Sequence, residues 1–480
     1  MNKGNLIVLL ESLSAYELNR IQKFVASPYF NKNSKIIALF QALKKDLNKS
    51  RIKDKEYYYK VATGEKNYND QKFRNLSSDL FKLTLSFLAQ EEFEKDYRYK
   101  ANTLITSVDK RELKPLFEKA INTAYKWRDK VELRDGDYFL YNFHLEKNIF
   151  NLESEFEKKQ SSKKENREQD VLKINDNLDY FYMIEKLKYY NTYLSHKSLY
   201  QSTAEFPYID KVLAIVKMHQ HELPPALRIY YEIYKTAINP DDLKSYRNLK
   251  ILVRRYHDLF NRKDAKNVYE SLINFTIKQV NKGNNDFYEE LLDVYSEGIE
   301  TSLILEKGKL SPTSYRNIIT IGLRQKKFDW VLEFINEKKG LIDEMYRENA
   351  YNYAVSLFYF YKKDFKKVIE SVRDIEFEDT LYANMSKSMV MFSYYELYDE
   401  EALMYFADSF SMYLRRSKNI SDSKKREFQN LIRFTKRMNK SRYDPSKLVK
   451  IKQDVLAAKA ISSKHWLLEK LKDVKLPNET

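Results

Sequence analysis

The stretch TSYRNIITIGLRQKKFDWVLEFINEK (313–338) reads as a helix, a short polar turn carrying an aromatic, and a second helix. AYNYAVSLFYFYKKDFKKVIESV (350–372) repeats that cadence, and the segment from Asn384 to Leu414 around ELYDEEALMYF repeats it again. The turn aromatics Phe328, Phe365 and Tyr398 stand 37 and 33 residues apart, and KKFDWVLEFI and KKDFKKVIES are nearly one turn written twice. A unit of this size cannot bury its apolar face alone, so it stacks on its neighbours.

The rest of the chain agrees with a helical reading. At 480 residues it is too long for one compact core. It holds only 8 Gly and 9 Pro, far below ordinary usage of about 7% and 5%. Tight strand turns draw on glycine for φ > 0, so a chain this poor in glycine has few of them. Ser14 and Glu17 form a capping box that opens a helix to about Ala26, and Ser27-Pro28 stops it. Near Asn69 another helix starts, with Phe73, Leu76, Leu80, Leu83 and Phe87 on one stripe.

Two longer apolar stripes follow. One runs through Tyr138, Tyr141, Leu145, Ile149, Leu152 and Phe156; the other runs through Val171, Ile174, Leu178 and Phe181. The apolar-free QSSKKENREQ (160–169) between them predicts a solvated turn, and hence an antiparallel helical hairpin. The expected fold is all-α. An N-terminal helical domain spans 1–100, long helical hairpins 101–240, helical repeats 241–442 and capping helices 443–480.

The repeated segments resemble the tetratricopeptide repeat, whose period is near 34 residues. On that pattern Val331 and Val368 take the small position of the second helix, and Tyr359 and Phe392 an aromatic position of the first. Ile319, Ser356 and Met389 stand where the family has Gly, Gly322 stands where it prefers Tyr, and the closing Pro is absent. The resemblance implies an α-solenoid whose first helices line a groove, with Arg316, Arg324, Tyr353, Tyr361 and Tyr394 facing inward. Through SPYFNK (27–32), NDQKFRNLSSDL (69–80) and HWLLEKL (465–471), the whole chain also resembles a group of uncharacterised bacterial all-helical proteins. That resemblance implies the helical fold and a complete chain, and no activity.

Chemistry is sparse. No two glycines lie close enough for a phosphate-cradling loop, and the absence of cysteine removes thiolate nucleophiles and Cys-ligated metals. His219 and His221 form the one close histidine pair, and i, i+2 spacing on a helix is poor chelating geometry. Paired acids such as Asp241-Asp242 and Glu289-Glu290 suit helix starts. No catalytic residue, metal or cofactor is expected, and the chain reads as non-enzymatic.

Charge carries more. Residues 415–442 hold eleven Lys or Arg against two acids, which is +9 of the net +16. Arg433, Lys436, Arg437 and Lys440 fall on one helical face, joined by Arg415, Arg416, Lys424, Lys425 and Arg426. Such a face suits phosphates, an acidic protein or plain solvation. The expected function is an adaptor or scaffold holding a protein or peptide in the repeat groove, with nucleic-acid association through the basic face as the alternative. Cysteine-free composition, a short N-terminal apolar run and no span of roughly 20 apolar residues predict a soluble cytoplasmic protein.

Overall fold

A computed structural model describes residues 4–47, 52–160, 167–200, 205–219, 222–373, 380–417 and 419–474. The fold is all-α: 79% of the described residues are helical, and no strand occurs among them. It divides into two compact units, Met1–Tyr190 with Glu205–Leu227, and Asn191–Ala204 with Arg228–Thr480.

In the first unit, local capping sets the helix starts. The Ser14 N–H donates to Glu17 Oε2 at 2.8 Å, and the Glu17 N–H donates to Ser14 Oγ at 3.2 Å, opening the helix Ala15–Ala26. Asn69 Oδ1 accepts from the Lys72 N–H at 2.9 Å and opens Asp70–Lys95. The predicted stripe on that helix is the buried one. Leu76, Leu80 and Phe87 join Leu18, Ile21, Leu39 and Phe40 in one core, with Phe73 and Leu83 packed against it. Each fully buried aliphatic side chain there contributes about 1.5–3 kcal/mol of transfer free energy.

A second core unites Tyr97–Asp109, Phe117–Arg128 and Gly136–Gln160. Leu145, Ile149 and Leu152 of the predicted stripe are spent on it. The hairpin partner predicted for them, Arg167–Tyr200, meets Gly136–Gln160 near the latter's start, where the Phe139 and Tyr180 rings lie 5.3 Å apart. No side chain from 168 to 182 is buried. Residues 161–166 of the predicted turn lie outside the described residues.

In the second unit, three hairpins occupy the repeated segments. They are Pro312–Arg324 with Phe328–Lys338, Glu344–Tyr361 with Phe365–Arg373, and Thr380–Glu396 with Glu400–Arg416. Their turns share one geometry. Lys326, Lys363 and Tyr398 take left-handed φ values of 57°, 59° and 59°. The next N–H in each case closes back on a carbonyl five residues earlier: Lys327 on Gly322 at 3.0 Å, Asp364 on Tyr359 at 3.0 Å and Asp399 on Tyr394 at 3.1 Å. That is a Schellman closure, made here by residues that carry a Cβ.

This shared geometry corrects the predicted register of the third hairpin by two residues. Tyr398 is the counterpart of Lys326 and Lys363, and Glu400 is the counterpart of Phe328 and Phe365. Leu403 then matches Val331 and Val368, and all three are fully buried. Met391, not Met389, matches Ile319 and Ser356; Tyr394, not Phe392, matches Gly322 and Tyr359.

Upstream, Leu243–Tyr256 and Arg262–Asn281 pack through the Tyr246 and Phe275 rings, stacked at 4.5 Å. The next helix, Phe287–Glu300, binds back to the first of these. Tyr246 Oη and Lys250 Nζ both donate to Glu290 Oε1 at 2.5 Å. Burial opposes the Glu290 charge, but Lys250 and Tyr246 outweigh it and hold the carboxyl below its usual range. Arg254 adds a fork on Glu297 at 2.7 Å. Phe287–Glu300 then lies antiparallel to Pro312–Arg324: Tyr288 meets Arg324 at 3.1 Å, and Tyr295 meets Asn317 at 3.4 Å. Here the alternation of first and second helices breaks.

Candidate partner-binding face

The turn register sorts each first helix into rows. Arg316, Tyr353 and Ser388 each stand ten residues before the left-handed residue; Thr320, Leu357 and Phe392 stand six before; Arg324, Tyr361 and Glu396 stand two before. The row four before faces the hairpin's own second helix. A Cβ on Gly322 would come within 2.6 Å of Val331 Cγ2, and Tyr394 in the same row packs on Phe406 at 5.8 Å. Tyr394 is therefore not an inner-face residue. Glu396 is the one that shares a row with Arg324 and Tyr361.

Arg316 and Tyr353, two of the residues predicted to line the groove, are already occupied by contacts within the fold. Arg316 Nη1 lies 3.6 Å from Met385 Sδ, and Tyr382 Oη donates to the Pro312 carbonyl at 3.3 Å. The first and third hairpins thus touch directly at this level. Tyr353 lies on Tyr382 with 5.3 Å between ring centroids and only 4% of its surface exposed. Burial pushes its phenol well above the ordinary range.

The row of Arg324, Tyr361 and Glu396 lies at the other end of these helices. Arg324 donates to Tyr288 Oη at 3.1 Å and reaches the Tyr361 hydroxyl as well. Burial works against its charge, but Tyr361 and Tyr288 outweigh that and raise the guanidinium above its usual value. No carboxylate pairs with Arg324 among the described residues, and its side chain remains exposed.

The chain's own C-terminal helix, Lys464–Lys470, comes up against this face. Trp466 stacks on Phe392 at 3.9 Å, Lys470 pairs with Glu396 at 2.5 Å, and His465 lies close enough to feel the charge of Arg324. Partial burial and then Arg324 hold the His465 imidazole below its ordinary range. The sequence predicts this helix as a cap at the end of the stack. Nothing in its own spacing indicates that it turns back onto Phe392, 74 positions earlier. Tyr288, Glu396, His465 and Trp466 are the members of this face that sequence reasoning missed.

The basic face is partly neutralised. The helix Asp422–Lys440 lies between acids on both sides: Lys436 pairs with Asp408 at 2.8 Å and Arg437 with Asp454 at 2.7 Å. Lys424 pairs with Glu427 at 2.8 Å. Arg415, Arg416, Arg426, Arg433 and Lys440 are exposed, and Lys425 is half-buried. None of these six has an ion-pair partner among the described residues. Arg433 lies over the Phe434 ring at 4.7 Å.

A cleft of about 790 Å³ in the first unit is lined by Phe93, Tyr97, Tyr99, Lys130, Val131 and Leu133. Among the described residues, no cluster of three or more His, Asp or Glu could hold a metal ion, and no helix is long and apolar enough to cross a membrane. His219 lies 3.6 Å from Glu222, and His221 is outside the described residues. No protein-family model matches the chain, and neither a curated protein nor a solved structure matches it.

Proposed function

We propose that this chain is a non-enzymatic scaffold that holds a protein or peptide partner on the inner face of a tetratricopeptide-like stack of hairpins. The observation that carries this reading is Arg324. It is exposed, donates to the Tyr288 hydroxyl with the Tyr361 hydroxyl beside it, and has no carboxylate of its own among the described residues. A guanidinium fixed in this way loses little freedom on binding, and Arg and Tyr are the residue types that dominate interface energetics. Cysteine-free composition fits a cytoplasmic setting.

Co-purification on the intact protein tests the proposal. Arg324→Ala combined with Tyr361→Ala is expected to cut recovery of a specific partner by tenfold or more, the scale of about 1.4 kcal/mol. Arg316→Ala is unsuited to this assay because Arg316 already contacts Met385. Undiminished recovery with the double variant rejects the inner face.

Nucleic-acid association is the second reading, favoured by the exposed Arg415, Arg416, Arg426, Arg433 and Lys440. It predicts duplex or single-strand binding that weakens with added salt as counterion release requires. Reversing Arg433 and Lys440 to Glu should shrink the salt slope. Absence of binding at low salt dismisses this reading.

A further inference from the structure

The part of the long helix Arg167–Tyr200 that lies in the first unit, residues 167–190, carries an exposed apolar stripe. Val171, Leu178, Tyr182 and Tyr189 are 49%, 41%, 42% and 61% exposed. Their spacings of 7, 4 and 7 residues put them within a few tens of degrees of one another around a 3.6-residue turn, along about 27 Å of helix. The neighbouring helix Gly136–Gln160 does not cover them, since its Leu145, Ile149 and Leu152 pack into the core with Ala101 and Ile105.

We propose that this stripe is a self-association surface and that its occupant is the same stripe of a second copy, run antiparallel. Two features of the chain select that occupant. The 7–4–7 spacing is symmetric about Tyr180. An antiparallel two-fold at that point sets Val171 against Tyr189 of the second copy and Leu178 against Tyr182, and a two-fold contact must be self-complementary in this way. The charges are polarised to match. Residues 168–179 carry Glu168, Asp170, Asp176 and Asp179 against Lys173, while residues 181–192 carry Lys186 and Lys188 against Glu185. Antiparallel pairing lays a half of net −3 on a half of net +1. Parallel pairing would lay −3 on −3, and like charges across a contact oppose it. The stripe is a narrow seam of the kind helix pairs use, with polar flanks at Asn175 and Lys186.

The test uses the full chain. Sedimentation equilibrium over a wide concentration range is expected to show a monomer passing to twice that mass. Leu178→Glu should weaken association at least tenfold with the circular-dichroism melt unchanged, because Leu178 is exposed and packs no core. Tyr182→Glu should do the same and guards against a local effect at Leu178. The absence of native cysteine makes orientation readable. Under mild oxidation an equimolar mixture of Val171→Cys and Tyr189→Cys chains should form the mixed disulfide, while neither variant alone should cross-link. A monomer at every concentration overturns the proposal. So does a dimer that persists in both Glu variants, or a Val171→Cys chain that cross-links to itself.

Discussion

Replacing Trp466 by Ala is expected to lower the stability of the second unit by about 3–5 kcal/mol, the cost of emptying a core site of an aromatic this size. Trp466 is 4% exposed, stacked on Phe392 and edge-on to Tyr395 at 5.4 Å. Leu467 on the same helix and Leu471 just past its end are buried in that cluster too, so this segment is anchored at three points. Removing its largest anchor deletes the contact with Phe392 and leaves Leu467, Leu471 and the Lys470–Glu396 pair, and a partly exposed pair of this kind contributes about 1 kcal/mol at most. Hydrogen exchange across 462–474 should therefore accelerate more than elsewhere in the unit, and urea unfolding should reveal the loss in the transition of that unit. Exchange and midpoint equal to those of the parent would mean that Trp466 does not hold the helix in place.

How much of this was legible in the residues depends on the range of the signal. Ser14–Glu17 and Asn69–Lys72 are caps written within four residues, and both helices start where those caps predict. The stripe from Phe73 to Phe87 is equally local. Hairpin register is less so. The third turn reads as aromatic-centred because Tyr398 resembles Phe328 and Phe365. Yet Tyr398 occupies the left-handed position that Lys326 and Lys363 take in the other two turns. A preference for φ > 0 leaves no trace in the sequence when glycine does not supply it, so the sequence register of this hairpin differs from the observed one by two residues, and Tyr394 turns to its own second helix. Contacts between distant segments leave still less. Arg316 on Met385, Trp466 on Phe392 and the acids facing Lys436 and Arg437 follow from how helices stack, and no periodicity encodes them.

Tyr353 separates a binding role from a packing role by stability alone. If its ring served a partner, Tyr353→Ala would leave the free protein's unfolding midpoint unchanged and reduce partner capture. The geometry predicts the reverse order of effects. The ring is nearly enclosed, rests on Tyr382, and lies on the row where Arg316 meets Met385. Truncation would leave a void between three hairpins whose backbones are tied by their own turns and cannot collapse freely, and that is the circumstance in which cavity costs are high. A loss of about 3–5 kcal/mol is expected for Tyr353→Ala, as for other buried aromatics cut to Ala. Tyr353→Phe, which keeps the ring and its contact with Tyr382, should lose far less. Urea unfolding of both variants decides the matter. A midpoint for Tyr353→Ala within error of the parent would return Tyr353 to the partner-binding set, and a large loss in Tyr353→Phe would mean that the hydroxyl, not the ring, fills the space between the first and third hairpins.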